Sequence, residues 1–306
     1  MVKKIEIVTP VHNRKELTLQ FLQSLKQIDD TDLQIHIIIV DDGSTDGTAE
    51  AVQNQFPAVE IVRGDGNLWY TAGTNLGIKT ALKYKPDFVL TVNNDSVFDR
   101  NFLRYLVQTA EKYPRSVVGA TLLLWDEPER LFQTSPKWET FGGGWRHWYE
   151  QTIETIPDKP WEVGIIVGNC VLFPVGAIRE VGLMDEKRLV QFGDAEYTPR
   201  MRKKGWRLLI EPRARVFCKP NDVPPQIRRM PFGKMIKTLF FDSTNVASLK
   251  RKLQTNLAGA PNRFAGAVAF AAFLARAVTK TTREQRKNQQ KEKPLAETFA
   301  KAVVKD

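Results

Sequence analysis

The stretch DFVLTVNNDSVFD, residues 87 to 99, runs an apolar strand into Asn93, Asn94 and Asp95. Strand ends favour Asn and Asp for turn chemistry, so the triplet alone says little. A carboxylate in that place can also hold Mg2+ or Mn2+, which prefer hard oxygen ligands. Similar groups follow three other apolar runs: His12, Asn13 and Arg14 after KIEIVTPV, Asp41 and Asp42 after LQIHIIIV, and Asn67 after VEIVRG. Carboxylates and amides so placed can hold ribose hydroxyls or the polar edge of a base. Brought to one edge, the set suits a nucleoside and a metal-bound diphosphate.

The elements that would bring them together are legible as alternation. The apolar runs are separated by the helical patterns KELTLQFLQSL, TAEAVQNQ, TAGTNLGIKTALKY and RNFLRYLVQTAEKY. Strand and helix in strict turn predict right-handed βαβ units and an α/β fold with an open, mostly parallel, Rossmann-like sheet flanked by helices. Ligands of such sheets bind outside the C-terminal strand ends, where all the polar groups above are expected. Between 121 and 162 the periodicity fades and glycine and tryptophan accumulate, as in TFGGGWRHWYE. This predicts a long mobile loop with Gly142 to Gly144 as its hinge. EVGIIVGNCVLF reads as a strand, EYTPRMRKKG as a helix, and WRLLIEP and ARVFC as a strand pair that ends the core near Cys218. We divide the chain into residues 1–227 and a basic helical C-terminal extension, residues 228–306. In the extension Phe232, Met235, Ile236, Leu239, Phe240, Val246, Leu249 and Leu253 recur at near-helical spacing.

Composition narrows the function classes. A chain of 306 residues with 42% apolar residues buries a substantial core, which excludes general disorder. Cys170 and Cys218 are too few for a disulfide scaffold, and no secretion signal opens the sequence, so a cytoplasmic home is expected. From Arg228 to Asp306 there are 17 Lys or Arg against 5 Asp or Glu, a net +12 that exceeds the +10 of the whole chain. The basicity therefore belongs to the extension. No nucleic-acid-binding motif accompanies it, and no nucleic acid is expected as a partner. The extension also carries the apolar run FAGAVAFAAFLARAV, shorter than the ~20 residues a spanning helix needs. An anionic membrane surface, met peripherally at its inner face, or a homodimer is the expected partner of this tail. DGSTDG from Asp42 mimics a calcium loop, but its twelfth position is Gln53 rather than glutamate. The absence of G-x-G-x-x-G and of G-x-x-x-x-G-K-[ST] argues against dinucleotide and P-loop chemistry.

The motifs IVTPVHNR, IIIVDDGSTDGT, TAGTNLGI, VNNDSVFD and QFGDAEYTPRMRKKGWRLLIEP occur in an order and spacing that resembles the family-two inverting glycosyltransferases of GT-A fold, in the rhamnosyltransferase-like branch. The resemblance covers about residues 4 to 218. It implies a nucleoside-diphosphate-sugar donor, flanked by Pro10, His12, Asn13 and Arg14, with its base on Asp42 and its diphosphate near Asn93 and Asn94; Asp41 and Asn67, by their places at strand ends, and Asn75, in TAGTNLGI, are further donor candidates. It further implies that Asp95, the last position of the family's D-x-D motif, binds Mn2+ or Mg2+. In GDAE it implies Asp194 as the catalytic base, with Glu196 supporting it or orienting the acceptor. From residue type alone, Trp145 and Trp148 are candidates to stack on sugar rings of a glycan or lipid-linked acceptor, or else loop anchors, and Gly168 and Asn169 are further acceptor candidates. Three positions depart from the pattern. Gly193 stands where the family has an acid, Pro199 falls inside the expected helix, and Cys218 stands where relatives often offer a histidine to the metal, leaving Asp222 or water to fill that place. Two other functions fit parts of the sequence. A catalytically silent nucleotide-sugar-binding subunit would bind donor without turnover, and a sugar-phosphate nucleotidyltransferase would release pyrophosphate, although TPVHNRKE lacks the glycines of its phosphate loop.

Overall fold

The structure, a computed structural model, describes residues 2–148, 151–219, 230–242, 244–245 and 247–276. The strands are β1 (Lys3–Val11), β2 (Leu33–Asp41), β3 (Glu60–Arg63), β4 (Phe88–Val92), β5 (Ser96–Phe98), β6 (Ser116–Leu124), β7 (Thr134–Glu139), β8 (Gly144–Trp148), β9 (Trp161–Glu162), β10 (Cys170–Pro174) and β11 (Arg207–Cys218). The helices are α1 (Lys15–Leu25), α2 (Thr48–Gln55), α3 (Trp69–Ala81), α4 (Phe102–Lys112), α5 (Val175–Val181), α6 (Asp194–Lys203), α7 (Phe232–Ile236) and α8 (Leu249–Gly259), with a last helical run, α9, over 263–276.

One nine-stranded sheet runs β3-β2-β1-β4-β10-β6-β11-β5, with β9 paired to β11. β1, β2, β3 and β4 are parallel, as the alternation predicts. β10 enters antiparallel between β4 and β6, β6 and β11 are parallel to each other, and β5 and β9 run antiparallel to β11. Helices cover both faces. Phe21 and Leu22 of α1 and Leu103 and Leu106 of α4 pack in one fully buried cluster, and Ile78 of α3, Ile178 of α5 and Tyr197 and Met201 of α6 in the other. Gly77 lets α3 lie close on the sheet, since a Cβ there would meet Val8 Cγ1 at 2.2 Å and Val40 Cγ2 at 3.2 Å.

Register sets the edge. Val11 pairs with Asp41, Cys170 with Val92 and Cys218 with Ser96. The loops carrying His12, Asp42, Asn93, Asp95 and Asn169 therefore leave the sheet side by side.

Four local expectations are corrected. EVGIIVGNCVLF is not one strand but β9 and β10, joined by an irregular stretch that passes Gly164 and Gly168. WRLLIEP and ARVFC are not a pair but the single strand β11. Its register with β6 shifts between Glu211 and Arg215, where Pro212 offers no amide to the ladder and the Glu211 carboxylate takes the Arg213 amide at 3.0 Å. The 121–162 segment includes the β7–β8 hairpin rather than a structureless loop. Gly143 and Gly144 at its tip take φ of +90° and +113°, and their backbone is held by α8 and α9: Asn256 Nδ2 donates to the Gly143 carbonyl at 3.4 Å and Arg276 Nη1 to that of Gly142 at 3.0 Å. In the extension the near-helical spacing from Phe232 to Leu253 is not one helix: α7 passes into a π turn at Lys237–Phe241 that stops at Asp242, α8 begins at Leu249, and Phe232 and Phe240 are exposed. Val246 lies outside the described residues.

Candidate active site

A cleft of about 490 Å³ opens along this edge. It brings together Pro10, His12, Arg14, Asp42, Asn93, Asn94, Asp95, Gly168, Asn169 and Asp194 from segments far apart in the chain.

Its nucleotide side is built from the loops after β1, β2 and β3. The Asp42 carboxylate is buried and accepts the amides of Gly66, Leu68 and Trp69 at 2.8, 2.9 and 3.0 Å. It thus shapes the 64–69 loop and the start of α3, and its oxygens are spent on that task. Its carbonyl accepts from His12 Nδ1 at 2.6 Å, which fixes the ring tautomer and leaves Nε2 to accept from Asn13 Nδ2 at 3.0 Å. Asn13, at φ +51°, accepts the Thr45 amide at 2.7 Å and so ties the loop after β1 to the loop after β2. Asp41 is buried, with Oδ1 capping the Ser44 amide at 3.0 Å.

Four expected donor residues stand off the cleft, Asp41 among them. Asn13 and Asn67 bond within their own loops, Asn67 through its amide to Asp65 Oδ1 at 2.9 Å. Asn75 is buried in α3, where it brackets Met184, donating to its carbonyl and accepting its amide at 3.0 Å each, and donates to Glu186 at 2.6 Å. It fastens the segment that leads to Asp194.

Asp95 presents one oxygen to Arg14, Nη1 to Oδ2 at 2.9 Å, while Oδ1 is buried without a hydrogen-bond partner. Asn94 turns inward to Thr18 at 2.9 Å, and the Asn93 amide donates to the Asn169 carbonyl at 3.1 Å. Among the described residues no group of three or more His, Cys, Asp and Glu side chains could by itself cage a metal. A single free carboxylate oxygen nevertheless fits Mg2+ or Mn2+ sites in which substrate phosphates and water supply the other ligands. Cys218 does not fit: its thiol is fully buried, meets Ser96 Oγ at 3.6 Å, and burial pushes its pKa up to about 12. Asp222 lies outside the described residues.

On the opposite wall Asp194 opens α6. Its Oδ2 accepts the Gly168 amide at 2.9 Å. Burial raises its pKa above the usual aspartate value, opposed by that amide, by the amides of the helix start and by the cation of Arg251. A carboxylate so raised is a stronger base in its ionised form than an exposed aspartate. Gly168 is required there, since a Cβ would stand 2.2 Å from the Tyr70 hydroxyl and 2.9 Å from Asp194 Cβ. The missing family acid at 193 has a steric cause: a Cβ on Gly193 would meet Thr71 at 2.6 Å and Met184 Sδ at 3.1 Å. Pro199 does not delay or break α6, which begins at Asp194. It has no amide to give Ala195, and α8 brings Gly259 against that carbonyl instead. Glu196 does not reach the cleft. It is buried, 2.6 Å from Arg200, which also donates to the carbonyls of Val181 and Leu183.

Trp145 lines a different cavity, beside Trp138 and Gly164. Trp148 ends β8, and its side chain lies outside the described residues. Pattern reading missed Tyr70 and Phe192, which line the cleft beside Trp69. Trp69 and Phe192 hold φ of +55° and +63°, strained for bulky side chains and found where a structure positions groups for function. The clue to both was local: each is an aromatic residue at the threshold of a helix. Arg251 of α8 had no local signal. It stacks on Phe192 with 4.1 Å from guanidinium to ring centre and reaches the site only through tertiary packing.

Residues 6–182 match the family model described as Glycosyl transferase family 2. The N-acetylglucosaminyl-diphospho-decaprenol L-rhamnosyltransferase of Mycobacterium tuberculosis is 27% identical over 221 residues, 65% of this chain and 70% of that protein. Among solved structures, GalNAc-T7 with UDP, GalNAc and Mn2+ superposes with a TM-score of 0.59 at 14% identity, over 78% of this chain and only 49% of that one. S. aureus TarS 1-349 in complex with UDP-GlcNAc superposes with 0.54 at 14% identity, over 90% and 73%. These structures share the GT-A fold, and the family match spans more than half of the sequence: the chain belongs to glycosyl transferase family 2.

Proposed function

We propose that the chain is an inverting, metal-assisted glycosyltransferase. It moves one sugar from a nucleoside-diphosphate donor to a hydroxyl of a glycan or lipid-linked glycan. The observation that carries this reading is that Asp95 and Asp194, about a hundred residues apart, line one cleft together. Pro10, His12, Arg14, Asn93 and the loop shaped by Asp42 receive the nucleotide and its diphosphate. Arg14, already on Asp95, offers a guanidinium fork that suits phosphate oxygens. Asp95, through Oδ1, would hold Mn2+ or Mg2+, which would supply charge neutralisation for the departing diphosphate. Asp194 takes the proton of the acceptor hydroxyl as it attacks C1 from the face opposite the leaving group. The Gly168 amide holds Asp194 in place, Tyr70 holds Gly168 in turn by donating to its carbonyl at 3.2 Å, and Glu196 acts one step removed, by anchoring α6.

The lipid-linked alternative among acceptors draws support from the extension. Phe232, Phe241 and Phe264 are 75%, 75% and 80% exposed, among Lys234, Lys237 and Arg263. Exposed aromatics with lysine and arginine suit the interface of an anionic bilayer. Among the described residues no helix is long and apolar enough to cross a membrane. The direct test of the mechanism is the anomeric configuration of the product by proton NMR: inversion relative to the donor is expected, and retention would exclude Asp194 as a base acting in a single displacement.

A further inference from the structure

A second cavity, of about 680 Å³, opens where the β7–β8 hairpin, β9 and the ends of α6 and α8 meet. It shares no lining residue with the cleft. Its size is in the range of ligand sites, about 300–1,000 Å³. Three indoles line it, Trp138, Trp145 and Trp161. Trp138 and Trp145 stand edge to face, 5.2 Å between centres, and Trp145 Nε1 is buried without a hydrogen-bond partner. Glycines make room for that indole: a Cβ on Gly164 would stand 3.1 Å from its ring, and one on Gly259 2.6 Å from Nε1. Lys137, Arg202 and Lys203 face a single lining carboxylate, Glu162, which already has Arg207 at 3.6 Å. The cavity is therefore aromatic and net positive.

Its position relates it to the cleft. Pro199 and Arg202 follow Ala195 at i+4 and i+7, so the cavity runs along the face of α6 that starts one residue from Asp194. At a rise of 1.5 Å per residue, Arg202 lies about 12 Å along the axis from Asp194. A glycan of a few units spans that distance, whereas a single sugar does not.

We propose that this cavity is a distal acceptor subsite for a pyranose carrying an anionic substituent, carboxylate or phosphate, some units from the hydroxyl that receives the sugar. The C–H face of the ring stacks on indole, where the neighbouring N–H can meet a hydroxyl. The anion pairs with Arg202 and Lys203. The proposal rests on the glycosyltransferase reading above.

The test is saturation-transfer NMR on the full chain, with a saturating nucleoside diphosphate, UDP, GDP or dTDP according to which binds, present to fill the cleft. The probes are methyl glucuronide, glucose 6-phosphate, methyl glucoside and inorganic phosphate, the last followed by phosphorus line width. Transfer from protein to the ring protons of at least one anionic sugar is expected, at affinity above the neutral glucoside. Arg202→Gln, an exposed position, and Trp161→Phe should each weaken it about fivefold. Three results would overturn the subsite: equal binding of the neutral glucoside, phosphate binding with no ring contact, or anionic-sugar binding unchanged in both variants. Failure of the donor reading would show separately, as no binding of any nucleoside diphosphate to the wild-type protein.

Discussion

Asp194 is where burial and hydrogen bonding are set against each other. Its raised pKa makes it a stronger base than an exposed aspartate, and only the ionised form can accept a proton. Activity should therefore fall as pH drops through that raised value, on an acid limb above the usual aspartate range. Asp194→Asn should cost transfer about a thousandfold, the size of a lost general base, with the donor still bound. Arg251 sharpens the test. Its cation opposes the upward shift, and burial lowers its own pKa to about 10, so it stays charged at neutral pH. Replacing it with methionine, which can still pack on Phe192, should move the acid limb to higher pH. A limb that stays in place in the pH profile of kcat/KM would mean that Arg251 only fills space.

At the scale of elements, close approaches of backbone decide the geometry. Gly77→Ala forces α3 off the sheet, or Val8 and Val40 out of place, and should destabilise the fold by about 1–3 kcal/mol in urea unfolding. The parallel half, β1 to β4 with α1 to α3, was legible because alternation of apolar runs and helical patterns leaves little else to build. β10 was harder: an antiparallel strand between parallel neighbours has the same apolar run as a parallel one. The hairpin hid because its anchors, Asn256 and Arg276, are more than a hundred residues away. The site divides along the same line. His12, Asp42, Asp95 and Asp194 were readable from strand ends and a motif. The inward turn of Asn75 and Glu196, and the arrival of Arg251, depend on which way a helix faces its neighbours, and one sequence does not state that.

The whole molecule couples the sheet edge to a basic, partly apolar extension. α8 packs on α6, the helix that starts at Asp194, through Gly259 at the Ala195 carbonyl and Lys203 at that of Ala258. If the exposed phenylalanines meet a bilayer, the full chain should sediment with anionic vesicles and not with neutral ones, less so in high salt. Replacing Phe241 and Phe264 with serine should reduce that binding without loss of thermal stability, and equal sedimentation of both proteins would remove the membrane role. The central claim concerns two carboxylates in one cleft. Its most direct measurement is donor turnover by purified protein across the common nucleoside-diphosphate sugars, with and without Mn2+ or Mg2+, beside Asp95→Ala and Asp194→Asn. The account predicts one donor hydrolysed or transferred only with metal, and by neither variant. A donor that binds but is never turned over, even with glycan acceptors added, or turnover that survives both substitutions, would contradict it.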